Sequence, residues 1–392
     1  MRSIELFAGA GGLGMGVSLA GFHSAEVVER DAACCDTLRE NARRAVAPLA
    51  GWTVTQGDVR ALDFSRHEGM VQLVAGGPPC QPFSIGGKHR AHKDSRDMFG
   101  EAVRALREVK PAAFIFENVK GLTRATFQNY FEYIRLQMTH PEIVLRDDED
   151  WRSHHGRLER HETSGRKRGL RYNLICHLAN AADYGVPQKR ERVFFVGFRG
   201  DLDVAWKFPA PTHSADALAW EQYRSGAYWS RHAVSSKERV VSDPTRARAW
   251  KLDEAPTLAP WRTVRDALVG LPDPERGKAA SAKFRDHRFQ PGARAYTGHT
   301  GSPLDAPAKT LKAGVHGVPG GENMLARPDG SVRYFSVRES ARLQTFPDDF
   351  GFAGPWSEAM RQLGNGVPVT LARVVAQDVK AHLERKLGVQ AL

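Results

Sequence analysis

The stretch that decides the fold is SIELFAGAGGLG, residues 3–14, in which a short apolar run meets a cluster of glycines. Ser3–Phe7 has the length and composition of a buried β-strand, and a helical pattern follows the glycines. Glycine lets a backbone turn tightly and approach a ligand closely, and ligands bind open α/β sheets where the parallel strands end. This stretch therefore predicts the first strand and helix of a ligand-binding α/β domain.

Further apolar runs repeat this arrangement. Glu26–Val28, Val71–Ala75 and Ala113–Phe116 have strand length, and the helix-like segment Asp97–Lys110 separates the last two. Strands that alternate with helices predict a parallel, doubly wound sheet. The alternation breaks at residues 146–171, where 14 of 26 residues are charged. We interpret this stretch as a solvated insertion, because no metal-ligand spacing recurs in it.

The composition changes again between residues 199 and 335. This stretch is rich in proline and glycine, lacks a clear helical period and holds five of the eight tryptophans. We expect a smaller, loop-rich domain over 199–335, inserted into a larger domain that comprises 1–198 and returns at 336–392. The return is predicted by an apolar face at helical spacing, formed by Leu371, Val375, Val379, Leu383 and Leu387.

The charge balance points to an anionic partner. The chain has 56 Lys and Arg against 45 Asp and Glu, a formal net charge of +11. A basic balance of this size suggests an anionic partner, most often nucleic acid, and a generic basic protein is the alternative. No run of about 18 apolar residues and no secretory signal occurs, so we expect a cytoplasmic protein without a membrane span. The four cysteines have neither disulfide-framework nor zinc-site spacing, so no metal is expected.

Two carboxylates follow the next predicted strands. Glu29 ends the second strand, where a carboxylate can bind both ribose hydroxyls of a nucleoside. Asp58 ends a third segment and is placed to accept a hydrogen bond from an adenine amino group. Together with the glycine cluster they favour an adenosine-type cofactor. The glycines match G-x-G-x-x-G poorly and no P-loop lysine is present, which disfavours an NAD enzyme or an NTPase.

A cysteine motif, GGPPCQPFS at residues 76–84, directly follows Val71–Ala75. Its two prolines favour an extended backbone that holds the thiol of Cys80 at a strand end. A thiolate is a strong nucleophile once a cation or dipole lowers its pKa from about 8.5. A buried structural cysteine is the alternative. The polar, basic stretch Gly86–Arg96 suits a lid over an anionic substrate.

Three further groups of polar residues complete the candidate site. Glu117 ends an apolar strand, so desolvation can keep it protonated as a general acid, although a solvated glutamate is the alternative. Arg190 and Arg192 fall on one side of a strand, where they either lower the pKa of a thiolate and bind a carbonyl or form a surface salt-bridge ladder. Asn365 lies between two glycines, placed to contact a ligand or to cap the last helix.

In this order the motifs resemble those of the DNA (cytosine-5)-methyltransferases of bacterial restriction-modification systems. The ordered blocks of the family occur here as FAGAGG at 7–12, GGPPCQPFS at 76–84, ENV at 117–119, QKRER at 188–192, RESARLQTFP at 338–347 and GNGVP at 364–368. The resemblance implies a Rossmann-like catalytic domain that binds S-adenosylmethionine, and a target-recognition domain in the variable segment. It also implies methylation at C5 of a cytosine in duplex DNA, with a separately acting restriction endonuclease as partner.

The resemblance assigns roles to individual residues. Cys80 attacks C6 of a cytosine flipped out of the duplex, Glu117 contacts N3 and the exocyclic amine, Arg192 binds O2, and Arg190 lies beside the cysteine. Ser84 and Thr310 are implied DNA contacts, the latter within a Thr-Leu element. The residues that match the cofactor site are Phe7, Gly9, Gly11, Glu29, Asp58, Pro79 and Asn365.

One departure from the family concerns the cofactor. Arg30 follows the ribose-binding carboxylate, where relatives commonly have an apolar or aromatic residue against adenine. Two alternatives share the fold, namely a tRNA cytosine-5 methyltransferase and a catalytically silent DNA-binding protein. The length of the 199–335 segment favours DNA over tRNA, and the intact set of catalytic residues disfavours a silent protein.

Overall fold

The computed structural model describes residues 1–79, 98–165, 169–297, 299–313 and 321–388. Its centre is a seven-stranded sheet with the order β3-β2-β1-β4-β5-β7-β6. Strands β1 to β5 are parallel, whereas β7 lies antiparallel between β5 and β6. The doubly wound sheet is therefore mixed rather than purely parallel. The strands are β1 (Arg2–Leu6), β2 (His23–Glu29), β3 (Val54–Gln56), β4 (Leu73–Gly76), β5 (Ala113–Val119), β6 (Tyr172–Asn180) and β7 (Glu191–Arg199).

Helices cover both faces of this sheet. Alternation along β5 sends its side chains into two apolar clusters. Phe114 and Phe116 pack with the helices Phe99–Val109 and Gln128–Thr139. Ala113 and Ile115 pack with the helices Gly12–Leu19 and Val369–Leu387. The helices are α1 (Gly12–Leu19), α2 (Ala32–Arg43), α3 (Phe99–Val109), α4 (Gln128–Thr139), α5 (Trp151–Thr163), α6 (Ala215–Ala219), α7 (Ala227–Arg231), α8 (Asp243–Trp250), α9 (Val264–Leu268), α10 (Lys278–Ser281), α11 (Val337–Leu343), α12 (Trp356–Asn365) and α13 (Val369–Leu387).

The last helix packs closely against the first. A β-carbon at Gly16 of α1 would lie 2.4 Å from the β-carbon of Ala372 in α13, so only glycine permits this approach. Four of the five residues predicted for the apolar face of α13 are buried, whereas Leu387 is 36% exposed. The chain thus returns to the sheet formed by its first half, as the apolar spacing predicts.

The interpretation of residues 146–171 as a solvated insertion is wrong for the helix that they contain. Helix α5 buries Leu158 in the same apolar cluster as α3 and α4. It also buries His154, whose ring bonds the hydroxyl of Tyr133 at 2.9 Å and the carbonyl of Ile143 at 2.8 Å. The charged residues occupy the remaining face, so their number concealed an amphipathic helix.

The middle of the chain has short elements and small apolar clusters. Two small sheets are formed by β8 (His213–Ser214) with β9 (Ala259–Pro260), and by β10 (Ser302–Pro303), β11 (Met324–Ala326) and β12 (Val332–Tyr334). Val204 and Trp206, which precede these sheets, still pack in the cluster of α1 and α13. Within the described ranges, no helix is both long and apolar enough to cross a membrane.

Candidate active site

Several of the predicted site residues that the structure describes lie at one edge of the central sheet. Strands β1, β2, β4 and β5 are parallel and end at this edge, and β7 begins there because it runs opposite to β5. The edge therefore carries the glycine loop after β1 and the acidic residues that end β2 and β5. Cys80, Ser84 and the predicted lid Gly86–Arg96 lie outside the described residues.

The glycine loop needs its glycines. Gly9 and Gly11 have φ values of 55° and 82°, in the left-handed region that residues with a β-carbon disfavour. Phe7 shares this conformation, with a φ of 56°. A β-carbon at Gly11 would also lie 2.6 Å from Cδ2 of Leu38. The loop is thus shaped by backbone conformation and by close packing against α2.

The carboxylate of Glu29 is held at the end of β2 by three backbone amides. Gly9 donates to Oε2 at 2.7 Å, while Arg30 and Asp31 donate to Oε1 at 2.7 and 2.8 Å. The side chain is fixed beside the glycine loop. Three of about four lone-pair sites of the carboxylate are used, so Oε2 keeps one for a further hydrogen-bond donor.

Asp58 has a neighbour that sequence reasoning missed. Arg60 donates from Nε to Oδ1 at 2.9 Å and from Nη2 to Oδ2 at 2.5 Å. These side-chain hydrogen bonds are the main cause that lowers the pKa of Asp58 to about 2. The guanidinium of Arg30 lies 3.7 Å from Oδ2, with 76% of its side chain exposed. Two arginines therefore flank the acid predicted to meet adenine.

Beneath the loop lies a buried acid that sequence reasoning also missed. Glu5 of β1 is 4% exposed, and its Oε1 accepts a hydrogen bond from the amide of Gly14 at 2.8 Å. Burial raises the pKa of Glu5 to about 8, opposed by the Gly14 amide and assisted by the negative charge of Glu29. A glutamate within an apolar strand, next to glycines, is the signal that could have revealed it.

This acid should make the stability of the protein depend on pH. The pKa of Glu5 is raised from 4.5 to about 8, so folding favours its protonated form. Its stabilising contribution is complete below pH 4.5 and is lost as the pH rises to about 8, at roughly 1.4 kcal/mol per pH unit at most. We expect Glu5→Gln to raise the free energy of unfolding at pH 8.5 and to change it little at pH 5, as measured by urea denaturation. An equal effect at both pH values would contradict this, and Glu254→Gln on the exposed surface is the control.

A buried ion pair joins β5 to β7. Nε of Arg192 lies 2.7 Å from Oε1 of Glu117, and the two side chains are only 11% and 8% exposed. Burial raises the pKa of Glu117, while the positive charges of Arg192 and Arg190 lower it. The net shift is upward, so burial favours the protonated carboxyl that a general acid requires. The solvated-glutamate alternative is excluded by this burial.

Arg190 binds three backbone carbonyls from two segments of the chain. Its guanidinium is fully buried and donates to Leu311 at 2.9 Å, Gly364 at 2.7 Å and Gly366 at 2.8 Å. Gln188, also fully buried, accepts from the amide of Leu311 at 2.9 Å. The surface-ladder alternative is therefore wrong, because both arginines of the motif are buried. These contacts join the QKRER, Thr-Leu and GNGVP motifs.

The residues that lead to Cys80 adjoin Glu117. A β-carbon at Gly77 would lie 3.4 Å from Oε2 of Glu117. Nδ2 of Asn118 donates to the carbonyl of Pro78 at 2.9 Å, a contact that sequence reasoning missed. The carbonyl of Pro79, in turn, accepts from the amide of Met98 at 3.2 Å. The described end of the cysteine motif is thus fixed against β5.

The remaining predicted residues are Asn365, in the GNGVP motif, and Thr310. Asn365 is exposed at the end of α12, and Pro368 rather than Asn365 takes the cap position of α13, so the capping alternative is wrong. The carbonyl of Val367 lies 2.2 Å from where a β-carbon of Gly12 would be, so the GNGVP motif packs on the glycine loop. The hydroxyl of Thr310 donates to the carbonyl of Lys189 at 2.6 Å.

Comparison with known proteins identifies the family to which the chain belongs. The family model described as C-5 cytosine-specific DNA methylase matches residues 1–140 and 163–381. The chain therefore belongs to this family, and the enzyme is a DNA (cytosine-5)-methyltransferase. The resemblance inferred from the motifs is confirmed, and the tRNA-specific and catalytically silent alternatives are not retained.

Across the part of the chain that is described, no group of His, Cys, Asp or Glu could hold a metal ion.

Individual relatives agree with this assignment. The Type II methyltransferase M.PspPI of Psychrobacter sp. (strain TA137) is 30% identical over 384 residues, which span 96% of this chain and 78% of that protein. The Type II methyltransferase M.NgoMIV of Neisseria gonorrhoeae is 28% identical over 387 residues, 98% of either chain. The fold is shared with a DNA modification methyltransferase encoded within an E. coli prophage, with a TM-score of 0.59 and 21% identity over 98% of this chain and 99% of that chain. The S. pombe Dnmt2 methyltransferase has a TM-score of 0.54 and 17% identity over the same shares.

Proposed function

We propose that this enzyme transfers a methyl group from S-adenosylmethionine to C5 of a cytosine within a specific duplex DNA sequence. The observation that carries the proposal is the buried Glu117–Arg192 pair, which lies beside the residues leading to Cys80. Such a site supplies a nucleophile, an acid and a hydrogen-bond donor within a space that excludes water. Those are the groups that methylation at an unreactive pyrimidine carbon requires.

The cradle at the ends of β1 and β2 fits the adenosine part of the methyl donor. Glu29 is held beside the glycine loop, and we assign the ribose hydroxyls to its carboxylate. We assign the adenine amino group to Asp58, whose two oxygens also accept from Arg60. When bound, S-adenosylmethionine supplies an electrophilic methyl group. The residues that we propose for this site are Phe7, Gly9, Gly11, Glu29, Asp58, Pro79 and Asn365.

The base chemistry follows from the electronic demand of cytosine. C5 is a poor nucleophile, and it gains enamine character when the thiolate of Cys80 adds to C6 of the flipped-out base. Glu117 then shares its proton with N3, while Arg192 donates to O2 and Arg190 adds positive charge near the thiolate. After C5 has accepted the methyl group, loss of the C5 proton and cleavage of the S–C6 bond regenerate Cys80.

DNA recognition falls to the middle of the chain in this proposal. We assign target recognition to 199–335, with 1–198 and 336–392 forming the catalytic domain, and retain Ser84 and Thr310 as DNA contacts. The hydroxyl of Thr310 would have to exchange its bond to Lys189 for one to a phosphate oxygen. A restriction endonuclease of the same specificity would act separately on unmodified DNA in the cytoplasm.

Bisulfite sequencing tests this proposal. Plasmid DNA from a host without cytosine methylation, expressing the enzyme, should show protected cytosines at one position of one short sequence. The same plasmid with Cys80→Ala is the control and should show none. If a folded enzyme that binds the methyl donor leaves all cytosines convertible, the proposed reaction is wrong.

A further inference from the structure

An exposed cluster of aromatic and arginine side chains lies in the middle of the chain, on α8 and the π-helical turn Trp220–Arg224. The guanidinium of Arg224 lies 5.5 Å from the ring of Trp220 and 5.7 Å from that of Trp250. Its Nη2 donates to the carbonyl of Leu252 at 3.0 Å. The guanidinium therefore lies within cation–π distance of two indoles, and one of its nitrogens is held by a backbone carbonyl.

A second stack extends this cluster along α8. The guanidinium of Arg246 lies 5.7 Å over the ring of Tyr223, and that ring lies 6.0 Å from the ring of Trp250. Arg246 and Trp250 are four residues apart, so they share one face of the helix. We use the name aromatic–arginine surface for Tyr223, Arg224, Arg246, Arg248 and Trp250.

This surface is exposed and strongly basic. Trp250 is 63% exposed, an unusual state for so large an apolar side chain, and the three arginines are exposed as well. Residues 223–251 contain seven Lys and Arg against two Asp and Glu. Arg248 pairs with Asp216 at 2.8 Å, but both side chains remain about half exposed, and such a pair contributes little. The surface thus offers charge to an anionic partner.

A further cation, Lys189, directly precedes Arg190 in the sequence. Nζ of Lys189 lies 5.1 Å over the ring of Trp261. Burial and then the positive charge of Arg248 lower the pKa of Lys189. The positive charge of the surface therefore acts on a residue beside the candidate active site.

We propose that the aromatic–arginine surface binds the phosphate backbone of duplex DNA beside the target cytosine. Guanidinium groups suit phosphate because they can donate two parallel hydrogen bonds. The rings of Trp220, Trp250 and Tyr223 restrict the arginine side chains before DNA binds, so less conformational freedom is lost on binding. Trp250 packs against deoxyribose. Contacts of this kind position a duplex without reading its sequence. The inference rests on the proposed DNA substrate and adds to it a site outside the family's motifs.

Salt-dependent binding to a duplex of mixed sequence tests the inference. Fluorescence anisotropy with a labelled 40-base-pair duplex would be measured between about 50 and 250 mM NaCl for wild type and for Arg246→Gln/Arg248→Gln. Losing two phosphate contacts should reduce the slope of log K against log salt by about 1.8 and weaken binding at 100 mM NaCl at least tenfold. Trp250→Ala should weaken binding with little change in slope.

A matched control is available on α5. Arg152, stacked 5.6 Å from the ring of Trp151, and Arg160 are exposed, so Arg152→Gln/Arg160→Gln removes the same charge elsewhere. An equal loss of binding in this control, or an unchanged slope in the α8 variant, would overturn the inference. Thermal denaturation establishes that each variant is folded. Because the duplex assay needs no methylation, its result is independent of the bisulfite result.

Discussion

Replacing Cys80 with alanine is expected to abolish methyl transfer while leaving duplex DNA binding within about twofold of wild type. Without the sulfur atom nothing adds to C6, so C5 stays too weak a nucleophile to accept a methyl group. Transfer of radiolabelled methyl groups to duplex DNA would be compared with anisotropy on the same duplex. Cys176→Ala is the matched control, since Cys176 lies partly buried in β6 and is assigned no role. Measurable turnover by the Cys80 variant would remove Cys80 as the nucleophile.

A trapped adduct would complete this test. With 5-fluorocytosine in place of the target base, the C5 fluorine cannot leave as a proton does, so the S–C6 bond should persist through a denaturing gel. We expect a shifted band for wild type in the presence of the methyl donor and no such band for Cys80→Ala. Methylation of normal DNA without any trapped species would contradict the covalent mechanism.

The second large effect is expected for Glu117→Gln. The amide cannot give its proton to N3, and loss of a general acid typically lowers the rate by roughly 10² to 10⁴. The pKa of Glu117 is raised by burial, so the wild-type kcat should fall as the pH rises through that pKa, because only the protonated carboxyl is an acid. The variant should lose this alkaline decline. A kcat that matches wild type at every pH would rule out the acid role.

A structural effect of the same substitution must be separated from the catalytic one. Glu117→Gln leaves the buried charge of Arg192 without its ionic partner, and breaking a buried pair costs about 3–5 kcal/mol when one partner is deleted. The double variant Glu117→Gln/Arg192→Met removes both charges and should regain much of the lost stability, as measured by urea denaturation. It should regain no activity, since it lacks both the acid and the O2 donor.

Local patterns predicted the part of the fold that depends on neighbours in sequence. The strands, the glycine loop and the position of Glu29 at the end of β2 were correct, because apolar run length and glycine spacing act within a few residues. The antiparallel position of β7 was not predicted, because strand direction depends on pairing with β5, over 70 residues away. The charge count at 146–171 was misleading, since Leu158 and His154 needed α4 beside them to become core residues.

The candidate site was likewise predicted only in part. Sequence order placed Glu117 and Arg192 in one site, and the structure brings them into contact. The partners of Arg190 and Asn118 were not predictable, because they are backbone carbonyls that only the folded chain brings together. Asp58 was predicted to accept from an adenine amino group, and the donation from the neighbouring Arg60 to both of its oxygens was not foreseen. The roles of the cofactor and DNA contacts, and the domain boundaries, stay predictions.

The three acceptors of Arg190 have a consequence for biosynthesis. Gly364 and Gly366 provide two of these carbonyls, and both are translated more than 170 residues after the arginine itself. A nascent polypeptide that does not yet include Gly364 therefore contains the Arg190 guanidinium but lacks two of its three carbonyl acceptors. Assembly of the catalytic edge must therefore wait until residues 364 to 366 have been translated.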